Sequence, residues 1–275
     1  MPYPRAHLYV MVVIAVTVLG FWPTYFSVLG QGPWQFHAHG IAAGLWILMV
    51  AAQGWTAQQR WFGVHGAIGK ASLILFPFLI GGLAAIIDLT GKSYVAGGDP
   101  VRTQYGGAFL IGLVVAVCAY LFLFQAALRH RRKTWVHAGY MLATPLILWE
   151  SPFSRVLNMV MPGLQIAGPQ DFDRILPSIL WADASALLFC LVVRWRVGAR
   201  AQPFVVAAGF IAAQMVAMAF MGNLPPVLQM LTMIGRTPSV LVVAIGFGAG
   251  AVASAAGWRA GRRPARPRAG AALPA

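Results

Sequence analysis

Charge is scarce in this chain, and negative charge most of all. Of 275 residues 9% are charged, and Asp and Glu together number six. An ordinary soluble domain carries about a quarter charged residues. A chain this poor in charge cannot coat a water-facing surface of its own size, which excludes a soluble enzyme, a disordered chain and a secreted disulfide scaffold. Cysteine is nearly absent: Cys118 and Cys190 both fall in apolar runs and read as small packing residues, not as a disulfide or a metal pair. There is no glycine-rich phosphate loop, HExxH, GxSxG or CxxC. The missing loop excludes ATP-driven transport by this chain alone, and the missing CxxCH excludes haem held by thioethers. Alternating strand patterns are missing as well, which argues against a transmembrane β-barrel.

What the chain has is hydrocarbon: 59% hydrophobic residues and a mean hydropathy of +0.73. A membrane-crossing helix needs about 20 apolar residues. Eight runs meet that need, at about 7–29, 36–58, 66–89, 104–129, 134–157, 176–194, 203–222 and 238–258. The expected fold is all-α, a polytopic transmembrane helix bundle of about eight spans forming one domain over 1–258, with a histidine-bearing core at about 20–157. The first run is expected to stay on as a helix. It is too long for the apolar part of a signal peptide, and Gly20-Phe21-Trp22-Pro23 is too bulky for a cleavage site.

Most of the 20 lysines and arginines fall on the side of Arg5, Arg60, Lys70 and the Arg129–Lys133 cluster. Only Lys92, Arg102, Arg155, Arg174 and Arg236 fall on the other side. By the positive-inside rule both termini are cytoplasmic. The net charge of +14 then belongs to helix ends that meet lipid headgroups, not to nucleic-acid binding. The Arg/Pro/Ala tail, 259–275, reads as a disordered basic cytoplasmic extension. Among the longer connections, 222–237 holds a short apolar stretch that either lies in the interface or dips into the membrane.

Histidine carries most of the chemical information. His7 and His130 stand beside basic residues and read as interfacial. His37 and His39 open the second span at its outer end, and two residues apart on a helix they point about 200° apart. From His39 a polar stripe runs down one face through Trp46 and Gln53; such a face must find partners inside the bundle or a wet cavity. The alternative is a hydrogen-bonded packing seam. His65 opens the third span and His137 lies one turn into the fifth, so the two share a depth at the cytoplasmic end. Two histidines on separate helices at one level suit the axial positions of a b-type haem, or a metal site, or simple helix-start positions facing headgroups.

All six acids lie off the cytoplasmic side. Glu150 stands about 20 Å further out along its helix than His137, towards the level of His37 and His39. Asp88 is near that level, and Asp183 lies in the sixth span. Ionisable groups in hydrocarbon cost a few kilocalories per mole and mark functional sites by default. Arg155 has Glu150 or Asp183 as its expected partner, and Pro145 and Pro152 break the outer half of the fifth span. Two imidazoles and a carboxylate (His37, His39 and Glu150) suit a transition metal, and equally a proton relay or a quinol headgroup.

The run Phe21-Trp22-Pro23-Thr24-Tyr25-Phe26, then Trp34-Gln35-Phe36-His37-Ala38-His39-Gly40, Trp46, Gln53 and His65, resembles a family of uncharacterised bacterial inner-membrane proteins. The likeness covers about 20–157, and His137 to Thr144 match a later segment of it. The resemblance implies a multi-pass inner-membrane location and a set of histidine positions, but no established activity. This chain departs from the family's usual form at Gly66 and Gly139, where a basic residue is expected after the histidine; a propionate or lipid-phosphate contact there is put in doubt. More remotely the pattern is similar to diheme b-type membrane cytochromes and to haem-copper oxidase assembly factors.

Three functions are therefore expected to compete. In the first, haem b or a transition metal is bound for electron transfer or metal handling, with His65, His137, His39, Trp46 and Gln53 around the cofactor and a respiratory-chain or quinone partner. The second is a small-solute or proton transporter lined by Glu150, Asp183 and Gln53. The third is an assembly scaffold without a cofactor.

Overall fold

The computed structural model describes residues 3–262. Ten α-helices account for most of them, and no strand occurs among the described residues. The helices are α1 (Ala6–Phe21), α2 (Trp34–Gln58), α3 (Phe62–Ala96), α4 (Pro100–Arg129), α5 (Thr134–Ile147), α6 (Glu150–Val160), α7 (Ile175–Val197), α8 (Gln202–Phe220), α9 (Pro225–Arg236) and α10 (Ser239–Ala260). Five stretches are long and apolar enough to cross a membrane: Trp34–Gln58, Phe62–Ala96, Pro100–Arg129, Pro169–Phe220 and Ser239–Ala260. The fourth contains both α7 and α8, which a short 3-10 turn at Gly198–Ala201 separates. The molecule is thus a helical bundle of the membrane kind. Its two ends are named here for the histidines they carry, the His39 end and the His65 end.

Several expected boundaries shift, each for a local reason. The first helix stops at Phe21 instead of running to 29, because the chain turns at Trp22-Pro23 and forms a 3-10 turn at Phe26–Val28. The fifth run is two helices. Pro145 lacks the N–H that would bond the Met141 carbonyl, and the Thr144 hydroxyl donates to that carbonyl instead, at 2.8 Å. Pro152 likewise cannot donate to Leu148, so the helix breaks at Leu148-Trp149. The third helix has 35 residues, about 50 Å against a hydrocarbon core of about 30 Å. Its extra turns pack on α9, where Gly91 and Gly235 bring the two backbones together. The segment left open at 222–237 is this α9, whose Val227 and Leu231 are buried against Leu110 of α4. At the C-terminal end, Arg259 and Ala260 belong to the last turn of α10 rather than to a tail. The rest of the expected tail, 263–275, lies outside the described residues.

Apolar burial does little to join helices in lipid, so close backbone approach has to do it. α10 meets α3 through Gly246, whose missing side chain leaves room for Ala84, and through Gly250 against Pro77. At the bundle centre α2, α3 and α4 close around a dry aromatic core. The rings of Phe76 and Phe124 stack at 4.1 Å, and Trp46 packs on both at 5.3 and 5.2 Å. Pairs of this kind are worth about 0.5–1.5 kcal/mol each beyond their area. This core forms a floor between the two ends.

Candidate functional site

Above that floor, at the His39 end, the bundle encloses a cavity of about 570 Å³. α1, α2, α3, α4, the α5–α6 break, α7 and α8 all contribute to its wall. The wall is mostly apolar, with Phe21, Phe36, Ile47, Leu83 and Phe109 among its side chains. The size falls in the range that holds drug-sized ligands, and an apolar wall with a few convergent polar groups is their usual setting.

The polar groups sit where the fifth run breaks. Glu150 is the first residue of α6, and its Oε2 accepts a hydrogen bond from Nε2 of Gln214 on α8 at 2.9 Å. One turn further on, Arg155 donates through Nη1 to both the carbonyl and the hydroxyl of Ser151, each at 2.8 Å. Its guanidinium lies over the Phe21 ring, 4.6 Å from the centroid. Sequence reasoning pairs Arg155 with Glu150 or Asp183. Among the described residues, however, the ion pairs are Lys92–Asp88, Arg102–Asp99 and Arg174–Asp171, and Arg155 has no carboxylate within 4.0 Å. Both Glu150 and Arg155 border the cavity, unpaired with each other. His39 borders it too, with a buried Nδ1 that meets no partner.

The mouth is held by Asp99 and Arg102, which also border the cavity. Asp99 caps α4, accepting from the Arg102 backbone N–H at 3.0 Å and pairing with the same residue's guanidinium. Partial burial pushes its carboxyl upward, but those contacts outweigh it and hold Asp99 below the ordinary carboxylate range.

The structure disperses the set His37, His39 and Glu150 proposed for a metal. His37 is taken by the Tyr25 hydroxyl, 3.0 Å from its Nδ1, and only His39 and Glu150 share the cavity. Among the described residues no group of three or more His, Cys, Asp or Glu is arranged to hold a metal ion. Asp88 is fully buried and structural: it accepts from Gln35 at 3.2 Å and from Lys92 at 2.6 Å, and Lys92 also donates to the Thr237 carbonyl. Asp183 is 2% exposed and lies off the cavity wall; its Oδ2 has no hydrogen-bond partner. Trp46 has no solvent-exposed surface, and its indole N–H is spent on the Thr144 hydroxyl at 3.0 Å.

Gln53, His65 and His137 lie at the other end, beneath the aromatic floor. Gln53 donates to the His65 carbonyl at 3.0 Å, and its own Oε1 is buried without a partner. His65 Nδ1 lies 3.3 Å from the Gln53 carbonyl, and His137 Nδ1 lies 2.9 Å from the Ala127 carbonyl. A carbonyl can only accept, so each ring carries its proton on Nδ1 and, when neutral, keeps a lone pair on Nε2. The two imidazoles are within electrostatic reach of each other. His7 also lies at this end, set edge-on to Trp55 beside Gly54. Gly139 has side-chain atoms of Pro203 and Tyr3 2.8 Å from where a Cβ would sit, so any larger residue there would force these neighbours to shift.

Sequence reasoning missed Gln214, Arg102 and Tyr25. Gln214 was legible in one respect, as the one side-chain amide in the run Pro203–Phe220. No family model, no curated protein and no solved structure matches the chain, so the functional argument rests on these residues.

Proposed function

We propose that the chain is a multi-pass protein of the bacterial inner membrane, with eight spans and cytoplasmic termini, that binds a small amphipathic molecule in the cavity at its His39 end. On this reading the basic His65 end faces the cytoplasm, and the cavity opens toward the outer half of the membrane. The observation that carries the reading is the pairing of Glu150 with Gln214 on the wall of an otherwise apolar cavity that also holds an unpaired arginine. Such groups are expensive inside a membrane unless a ligand or water uses them. The transporter class accounts for the site better than a scaffold does. The break at Leu148-Trp149 lies at the cavity, where a discontinuous helix suits alternating access. Neither Gln53 nor Asp183 lies on the wall of this cavity.

The test is photolabelling with a neutral alkyl diazirine in vesicles, with the labelled residues mapped. The reading expects labels on cavity residues such as Ile47 and Leu83. It also expects their loss in Gly44→Phe, because Gly44 borders the cavity and has no atom within 4 Å of a Cβ position. Labelling confined to the outer faces of the helices, and unchanged in Gly44→Phe, would contradict it.

A second reading is favoured by the anchored histidines of the other end. Axial ligands of a b-type haem donate Nδ1–H to a carbonyl or carboxylate and bind through Nε2, and His65 and His137 have that form. The donor set fits; bound there, haem would supply one-electron transfer. A reduced-minus-oxidised absorption spectrum of the purified protein tests it, with a sharp b-type band expected and a flat spectrum from haem-replete cells against it.

A further inference from the structure

Arg155 sets the chemistry of the ligand more narrowly than the cavity does. Its Nη1 is committed to Ser151, while its remaining N–H groups make no hydrogen bond among the described residues. A guanidinium is a planar fork matched to carboxylate and phosphate oxygens. One held in an apolar cavity without an acid within 4.0 Å leaves that fork open. Phe21 lies against its face and keeps the guanidinium in place. The apolar wall continues from it through Phe36, Ile47 and Leu83, a surface for a hydrocarbon body and not for a hydrated ion.

We infer that the ligand is an amphipathic monoanion whose carboxylate or phosphate head sits on Arg155, and that it binds together with one proton taken up by Glu150. This rests on the cavity being a ligand site. The proton follows from charge. Asp99 and Arg102 neutralise each other at the mouth, so the free charges of the cavity are Arg155 and Glu150. Adding a monoanion leaves two negative groups and one positive group in a low-dielectric space, where two anions sharing a site cannot both stay ionised. A proton from the aqueous side, held on Glu150, restores neutrality. The other titratable groups facing this space are His39 on α2, Tyr25 in the turn before it and Tyr120 on α4. Asp183 on α7 lies off the wall, within electrostatic reach of Glu150. Glu150 is the acid that borders the cavity with no cation within 4.0 Å.

The experiment measures binding of dodecanoate, dodecyl methyl phosphate (a diester that keeps a single negative charge) and dodecanol to the protein in nanodiscs across a pH series. Both anions are expected to bind at least about tenfold more tightly than the alcohol, and the tighter of the two names the source as fatty acid or phosphate ester. Affinity for the anion should rise as pH falls, by up to about tenfold per unit where one proton is taken up. Arg155→Gln should lose the preference for anions, and Arg155→Lys should recover part of it. Glu150→Gln should keep anion binding but lose the pH dependence, while Asp183→Asn keeps both. Equal binding of alcohol and anion in wild type and Arg155→Gln would overturn the inference while leaving the cavity reading intact. Binding of none of the three probes, or binding undiminished in Gly44→Phe, would remove the cavity reading itself. Size-exclusion profiles identify any variant that fails to fold, and the wild-type comparison of anion with alcohol decides the inference without any variant.

Discussion

The amide of Gln214 donates to Glu150 across 2.9 Å, joining the middle of α8 to the first residue of α6. This bond fixes the carboxylate at the point where the chain's fifth apolar run breaks. Gln214 is 4% exposed, so replacing it leaves a buried acceptor short of a donor, which costs about 1–3 kcal/mol. Gln214→Leu should therefore lower unfolding stability in mixed micelles by that order. Gln214→Glu should be rescued by lowering the pH, as one of two facing acids takes up a proton. Unchanged stability in Gln214→Leu would show that the bond does not hold the break.

Acid should loosen the cavity mouth. Asp99 titrates below its ordinary value of 3.8 when folded, so its contribution is fully present above that value. The contribution is lost as pH falls through the lower, folded value. Asp99→Asn keeps an oxygen for capping α4 but gives up the ion pair with Arg102. As pH falls below about 3.8, thermal stability of the wild type should fall more than that of Asp99→Asn. Parallel curves would mean that the pair contributes nothing.

Packing of α10 on α3 gives a sharp contrast between two nearby glycines. A Cβ at Gly246 would lie 2.5 Å from the Ala84 Cβ, whereas nothing lies within 4 Å of a Cβ at Gly248. Gly246→Leu should destabilise the bundle by about 1–3 kcal/mol through overpacking. Gly248→Ala should be neutral or stabilising by up to about 1 kcal/mol through helix propensity. Similar effects at the two positions would argue against this helix contact.

Much of the architecture was legible because hydrophobic run length is a direct physical requirement of a bilayer. Nine of the ten helices overlap an expected run, α9 lies in the connection left open at 222–237, and Pro145 and Pro152 marked the break in the fifth run. The extension of α3 to Ala96 was not legible, since those turns are held by α9, a partner distant in sequence. At the site, the depth of Glu150 and His39 followed from helix rise alone. Their partners did not. A single amide in the run Pro203–Phe220 carries little weight until the fold sets it against Glu150. Arg155 invited pairing with a nearby acid, yet the break at Leu148-Trp149 turns it toward Ser151 and the cavity. Heptad spacing put Trp46 and Gln53 on the face of His39, but the aromatic core around Trp46 separates the two ends of that stripe.

The anchored histidines make a prediction of their own. If haem b is present, His137→Ala and His65→Ala should each abolish the b-type band, while His39→Ala should leave it intact. Loss of the band in His39→Ala alone would move the haem to the other end. Full retention in both His65→Ala and His137→Ala would end the axial reading.

Native mass spectrometry of the protein released from nanodiscs shows whether the cavity at the His39 end holds a ligand. One bound amphiphile per chain is expected in the wild type and none in Gly44→Phe, whose added ring takes up cavity space. Identical bound masses in the two proteins would place any ligand on the lipid-facing surface and contradict the account.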